Sequence, residues 1–328
     1  MVLTDAVAEI IHIAPVQIML TLEVWSPFQV HAYHYFEQLK LKNSGMNRNK
    51  SYPIVLSIAG SDSSGGAGIQ ADLKTFSSLG VYGATAITAI TAQNTLGVVS
   101  QMALPPQMVR EQIIAVMDDL HPSVVKIGML SNAEIVNAVA EVLSEYKPKI
   151  ILDPVIVSTS GHRLLSVEAQ DVIKEKLLPI SELVTPNIPE METLTNMPLS
   201  SFEEKEKAAN YLLSLGAKAV LLKGGHEDGE VKTDILFFRA HEVCSQLIAH
   251  SSQLVSESIS TKNVHGTGCT LSSAIAAFLA LDYSLEDAVR ETKHYITEAI
   301  RAGADVKIGH GFGPVNHFFN PKPLFKNE

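Results

Sequence analysis

From Tyr52 onward, short β-branched runs alternate with stretches of helical periodicity, and this alternation is what most constrains the fold. Parallel neighbours need a crossover, usually a helix, so repeated strand–helix pairs imply a mainly parallel sheet covered on both faces. Strands are expected at 54–60, 83–91, 123–128, 149–153, 182–185 and 218–223. Helices lie between them: "PPQMVREQIIAVMDDL" opens on prolines suited to a first turn, and "SNAEIVNAVAEVLSEY" opens on capping residues. Ser201 and Glu204 have capping-box spacing, which marks a helix through Leu213. The segment 234–260 reads as irregular antiparallel strands, and two helices near 267–281 and 284–302 close the chain. The expected fold class is α/β, a three-layer α/β/α sandwich with a mainly parallel central sheet.

With 328 residues, 46% of them hydrophobic, the chain can bury a large core. A formal charge of -10 and 6% aromatic residues argue against nucleic acid or an acidic membrane as partner and favour small-molecule chemistry. The two cysteines, Cys244 and Cys269, form no disulfide framework and match a reducing, cytoplasmic setting. The first fifty residues differ from the rest. They hold no Lys or Arg before Lys40, and their apolar stretch is interrupted by His12, Pro15 and Gln17, so neither a secretory signal nor a membrane span is expected. Residues 1–48 are read as an N-terminal extension outside the catalytic fold, with Met46 as an alternative start, and 49–328 as one domain.

Four strand ends carry chemistry. "IVLSIAGSDSSGGAGIQAD" (54–72) is a strand, a glycine-rich turn and a helix. Gly66, Gly68 and Ala71 fit a dinucleotide-binding spacing, but the next strand ends in Gln93 and Asn94 where that reading wants an acidic residue. The alternatives are a packing turn, or a substrate loop in which Gly60 admits the ligand and Asp62 accepts a hydrogen bond. Asp153 ends a buried strand in "ILDPV". Asn187 and Glu190 stand three apart at a helix start in "TPNIPEME", placed either to cap that helix or, with Asp153, to supply oxygen ligands of the kind Mg²⁺ prefers. "VLLKGGH" ends another strand in Lys223 and Gly225. In "NVHGTGCTLSSAIAAFLAL" (263–281), Gly266, Thr267 and Gly268 precede an apolar helix whose free N–H groups suit an anion, and Cys269 stands beside them. Helix N-termini lower thiol pKa values, so Cys269 is expected to be partly thiolate. His265 reads as a loop residue with a solvated ring.

Taken together, "AGSDSSGGAGIQAD", "TAQNT", "KIGML", "DPV", "TPNIPE", "KGGH" and "HGTGCTLSSAIAA" resemble the hydroxymethylpyrimidine/phosphomethylpyrimidine kinases of thiamine biosynthesis, over residues 52 to 320. The resemblance implies a ribokinase-like fold, Mg-ATP as phosphoryl donor, a homodimer, and phosphorylation of 4-amino-5-hydroxymethyl-2-methylpyrimidine to its monophosphate and then its diphosphate. It makes Gln93 the reader of the pyrimidine, and an amide does offer a donor and an acceptor side by side. Asp62, Gly60 and Met129 would line the same pocket. Asp153 and Glu190 match the metal side, and Lys223, Gly225, Asn187 and Lys293 the nucleotide side. Gly266, Thr267, Gly268 and Cys269 match the catalytic turn. The loop "STSGHRLL" lacks a lysine expected before its glycine. The alternative is a pyridoxine or pyridoxal kinase of the same fold; Ser158 stands where the most similar of those carry a second cysteine. A catalytically dead binding protein is a third reading, which retention of Cys269, Lys223 and the acidic residues disfavours.

Overall fold

The protein is described from a computed structural model at residues 51–158, 161–225, 229–239 and 249–326. The expected extension, 1–48, lies outside the described residues, as do Cys244 and His226. The chain opens with β1 (Ile54–Asp62), α1 (Gly68–Ser78) and β2 (Tyr82–Asn94), a crossover unit whose strands pair in parallel. β3 (Gly97–Ala103) folds back antiparallel on β2. Then α2 (Pro106–Leu120) carries the chain to the other side of β1, where β4 (Val124–Ile127) pairs in parallel. The sheet grows outward through α3 (Ala133–Tyr146), β5 (Lys149–Leu152), α4 (Val167–Val172), β6 (Leu183–Val184), α5 (Ile188–Thr195), α6 (Phe202–Ser214) and β7 (Ala219–Leu222). An antiparallel hairpin, β8 (Val231–Arg239) and β9 (Ala249–Glu257), completes it, followed by α7 (Thr267–Ala280) and α8 (Leu285–Gly303).

The strand order is β3-β2-β1-β4-β5-β6-β7-β8-β9, parallel from β2 to β7. Because the winding direction reverses at β1, a crevice opens between the carboxyl ends of β1 and β4, where α/β folds bind ligands. Local signals set the helix ends. Asn132 accepts the N–H of Ile135, Pro106 opens α2, and the Ser201–Glu204 capping box is formed. The side chains of β1 alternate as a two-sided strand requires. Leu56 and Ile58 join Ile113, Val139 and Leu212 under α2 to α6, while Val55 joins Phe76, Ile275 and Val289 under α1, α7 and α8. The three-layer sandwich is thus present, and every expected strand is found. β3 was not anticipated, because most of its residues are exposed and its sequence lacks a clean apolar face. Among the described residues no helix is long and apolar enough to cross a membrane.

Candidate active site

Two irregularities shape the near wall of the crevice. The β1–β2 register shifts between Ala59 and Ser61, and the β2–β3 register shifts between Ala92 and Gln93. Bulges of this kind re-aim a side chain, and here the second lies at Gln93. Ser63 pins the bulge: its hydroxyl donates to the Gln93 carbonyl and accepts the Gln93 N–H, both at 2.8 Å. Gly60 leaves room for Met129, since a Cβ there would stand 2.9 Å from the Met129 sulfur. Asp62 is buried and gathers the loop before α1. Its carboxylate accepts the Ser64 N–H and hydroxyl (2.8 and 2.7 Å) and the N–H groups of Gly66 and Ala67 (3.1 and 2.8 Å). Burial opposes its ionisation, but these bonds and His265 outweigh burial and hold the carboxyl at about 2.

The far wall is ionic. Lys223, at the end of β7, places its ammonium 2.7 Å from Asp153 Oδ1 and 3.7 Å from Glu190 Oε2, and all three side chains are buried. Burial opposes ionisation of Asp153, yet Lys223 and Lys126 keep it below the ordinary range; burial lifts Glu190 instead. Asn187 and Glu190 do cap α5: Asn187 Oδ1 accepts the Glu190 N–H, and Glu190 Oε2 accepts the Asn187 N–H, each at 2.8 Å. That capping does not remove them from the crevice. Among the described residues no three His, Cys, Asp or Glu side chains cluster as a closed metal cage. Asp153, just after β5, and Glu190, in the first turn of α5, are instead oxygen donors of the kind Mg²⁺ prefers. Lys293 pairs with Asp234 at 2.8 Å, and the second Asp234 oxygen takes the Gly224 N–H at 2.9 Å, so this lysine steadies the turn that carries Gly225.

Between the walls lies the start of α7. Gly266 has φ +80°, and a Cβ there would fall 1.8 Å from the Gly66 carbonyl oxygen, so only glycine lets the two turns touch. Gly268 stands against the ion pair, its notional Cβ 3.4 Å from Lys223 Nζ and 3.7 Å from Asp153 Oδ2. Cys269 is half-buried and free. The expected partial thiolate is corrected: burial pushes the thiol up to about 11, with Asp72 and Asp153 adding to burial and Lys126 and the Gly68 N–H opposing it. A helix start worth about 1 kcal/mol does not offset that desolvation.

The site residues expected from the resemblance line one cavity of about 620 Å³: Gly60, Asp62, Gln93, Met129, Asp153, Asn187, Glu190, Lys223, Gly225, Gly266, Thr267, Gly268, Cys269 and Lys293. A second groove, of about 560 Å³ between β9 and α8, shares Lys293 alone among them and holds no comparable set. The sequence model of phosphomethylpyrimidine kinases matches residues 62–316. The chain belongs to this family. It is 48% identical to the hydroxymethylpyrimidine/phosphomethylpyrimidine kinase of Rhizobium meliloti, over 81% of this chain and 97% of that one. It is 47% identical to the thiamine biosynthesis bifunctional protein ThiED of Geobacter sulfurreducens over 83% of its length, while spanning about half, 54%, of that longer protein. Among solved structures, the phosphomethylpyrimidine kinase of Clostridium difficile is 45% identical, with TM-score 0.64 and coverage of 75% and 99% of the two chains. The ADP complex of Bacillus subtilis pyridoxal kinase superposes with TM-score 0.73 at 34% identity, covering 81% and 98%. The phosphomethylpyrimidine kinase fold is therefore shared with pyridoxal kinases.

Two features of this chain escaped the sequence reading. His265 is not solvated: it is 6% exposed, its Nε2 lies 2.8 Å from Asp62 Oδ2, and the Gln93 amide lies 3.2 Å away. Its burial comes from distant chain, Gly66 and Pro314, which local pattern does not reveal. The second is a cluster beneath the turn. Lys126 Nζ lies 2.9 Å from both Asp72 oxygens, which also accept the hydroxyls of Ser57 (2.5 Å) and Ser273 (2.7 Å). A lysine inside the apolar run "VVKIG" was the available signal.

Proposed function

We propose that this protein uses ATP to phosphorylate 4-amino-5-hydroxymethyl-2-methylpyrimidine to its monophosphate and then to the diphosphate, for thiamine biosynthesis. One observation carries the reading. In a single cavity, an amide suited to an aminopyrimidine edge and a buried cation with two carboxylates stand on opposite sides of a glycine turn. The pyrimidine sits among Gln93, Asp62, Gly60 and Met129, with its hydroxymethyl group toward Cys269. The nucleotide lies toward Lys223, Gly225, Asn187 and Lys293, and Asp153 and Glu190 would hold a Mg²⁺ as oxygen donors, which would supply neutralisation of phosphate charge. The acceptor oxygen bonds to the γ-phosphorus as the bond to ADP breaks, the hydroxyl proton of the alcohol passing to the transferred phosphoryl group. The N–H groups of Gly266 and Gly268 receive the phosphoryl oxygens as charge spreads over them, while the Thr267 N–H holds the Val264 carbonyl at 3.2 Å.

Incubation with Mg-ATP and the pyrimidine alcohol should give mono- and diphosphate by mass spectrometry. Faster turnover of pyridoxal than of the pyrimidine would overturn the substrate assignment. A cytoplasmic homodimer belongs to the same proposal. Support for the dimer comes from the edge strand β3, which exposes Val99 and Met102, with Leu96 exposed in the turn before it and Ile90 on the neighbouring β2. Sedimentation of a monomer at micromolar concentration would remove that part.

A further inference from the structure

The geometry points to His265 as the residue that fixes which way round the Gln93 amide is held, and hence whether the site accepts an aminopyrimidine or its oxo analogue. This inference rests on the reading of Gln93 as the pyrimidine contact.

Asp62 is a carboxylate already holding the N–H groups of Ser64, Gly66 and Ala67, so it can only accept, and the His265 Nε2 at 2.8 Å must carry a proton and donate it. That nitrogen then has no lone pair for Gln93. Gln93 Nε2 stands 3.2 Å from it, which sets two donors against each other. On the other side, Gln93 Oε1 lies 3.2 Å from Thr91 Oγ1, whose proton is engaged by the Ser61 carbonyl at 2.9 Å. Turning the amide by half a revolution resolves both contacts, and partners rather than shape decide amide orientation. The oxygen then shares the His265 proton, and the NH₂ group donates to Thr91 Oγ1. The remaining N–H and the remaining oxygen lone pair of Gln93 face the cavity in a fixed order.

A fixed order has a consequence for the ligand. A 4-aminopyrimidine offers an amine donor beside a ring-nitrogen acceptor; the 4-oxo analogue offers an acceptor beside an N–H donor. In one pose, each needs the opposite amide orientation. A freely turning Gln93 would accept both, whereas one held by His265 and Thr91 accepts the amine alone.

The test measures kcat/KM of the full chain for 4-amino-5-hydroxymethyl-2-methylpyrimidine and for 5-hydroxymethyl-2-methylpyrimidin-4-one. A mismatched buried hydrogen-bond pair corresponds to roughly hundredfold discrimination, expected in the native protein. His265→Leu, close in volume, should lower that ratio at least about tenfold by releasing the amide, while the KM for Mg-ATP stays the same. His265→Gln keeps an N–H toward Asp62 and should keep most of the ratio. Thr91→Val loosens the same lock from the other side and should shift the ratio in the same direction, which holds the inference to account even where His265→Leu does not fold. Equal loss on both substrates in His265→Leu and Thr91→Val would mean a structural role only and would overturn the inference. Phosphorylation of neither compound by the native protein would instead bring down the functional reading, and this inference with it.

Discussion

The buried pair beneath the glycine turn gives a direct test of what holds the site together. Lys126, Asp72, Ser57 and Ser273 are each 0% exposed and belong to β4, α1, β1 and α7. Asp72 lies one helical turn after Gly68, and Ser273 one turn after Cys269, so the cluster ties the two helix starts whose glycine turns meet at the cavity. Room for the ammonium comes from Gly128, whose notional Cβ would lie 2.9 Å from Lys126 Nζ. Replacing Lys126 by Met leaves a carboxylate with only two hydroxyl donors in an apolar layer, and removing one partner of such a pair costs about 3–5 kcal/mol. Asp72→Leu strands the ammonium instead and should cost a similar amount. The double variant buries no charge. What it loses is the acceptor of two serine hydroxyls, about 1 kcal/mol each or about 2 kcal/mol in all. It should therefore be more stable than either single variant, in equilibrium urea unfolding followed by fluorescence and by circular dichroism. A double variant destabilised by the sum of the two single effects would refute the reasoning, since it would show the two charges acting independently.

Further outcomes follow from the same geometry. Gly266→Ala places a Cβ where the Gly66 carbonyl stands and strains a residue at φ +80°, so the turns must part; a displacement near 1 Å at reacting groups lowers kcat about hundredfold, to be read by steady-state assay on protein whose circular dichroism is native. Burial, with Lys74 adding to it, lowers His317 to about 4, below its unfolded value of about 6.5. Neutral His317 is thus favoured in the fold: its contribution is complete above pH 6.5 and is lost as pH falls toward 4, about 2 kcal/mol between pH 7 and pH 5, and urea midpoints of His317→Gln should show a correspondingly shallower pH dependence. Because the Cys269 thiol is neutral, its alkylation by iodoacetamide should rise with pH well beyond 9; a plateau below pH 8 would restore a resting thiolate.

How much of this was legible in the sequence depended on how local each signal was. The capping box at Ser201 and Glu204, the cap at Asn132 and the proline opening α2 are decided within a few residues, and they form as read. The glycine turn was legible for the same reason, and the crossover pattern placed its partners at strand ends that necessarily converge on one sheet edge. His265 was misread because its neighbours Asp62 and Pro314 are far away in sequence. Asp72 and Lys126 escaped because a charge on a helix or strand ordinarily marks the solvent side, and only the strand register shows that Lys126 points with Val124 into the layer beneath α1 and α7. The ionisation of Cys269 was wrong for a third reason: the sequence displays the helix start that favours a thiolate, but not the burial that opposes it.

That correction changes what the cysteine is for. The site must take an alcohol and then a phosphate monoester, with Asp153 and Glu190 already close by. A carboxylate at position 269 would place another negative charge beside the second acceptor in a poorly screened cavity, whereas a thiol held neutral by its burial adds none. Cys269→Asp should therefore depress phosphorylation of the monophosphate more than that of the alcohol, with each compound assayed separately as the starting substrate. Cys269→Ser, neutral and slightly smaller, should leave the ratio of the two rates near its native value. If Cys269→Asp slows both steps by the same factor, charge at this position does not govern the choice of acceptor, and the thiol serves packing alone.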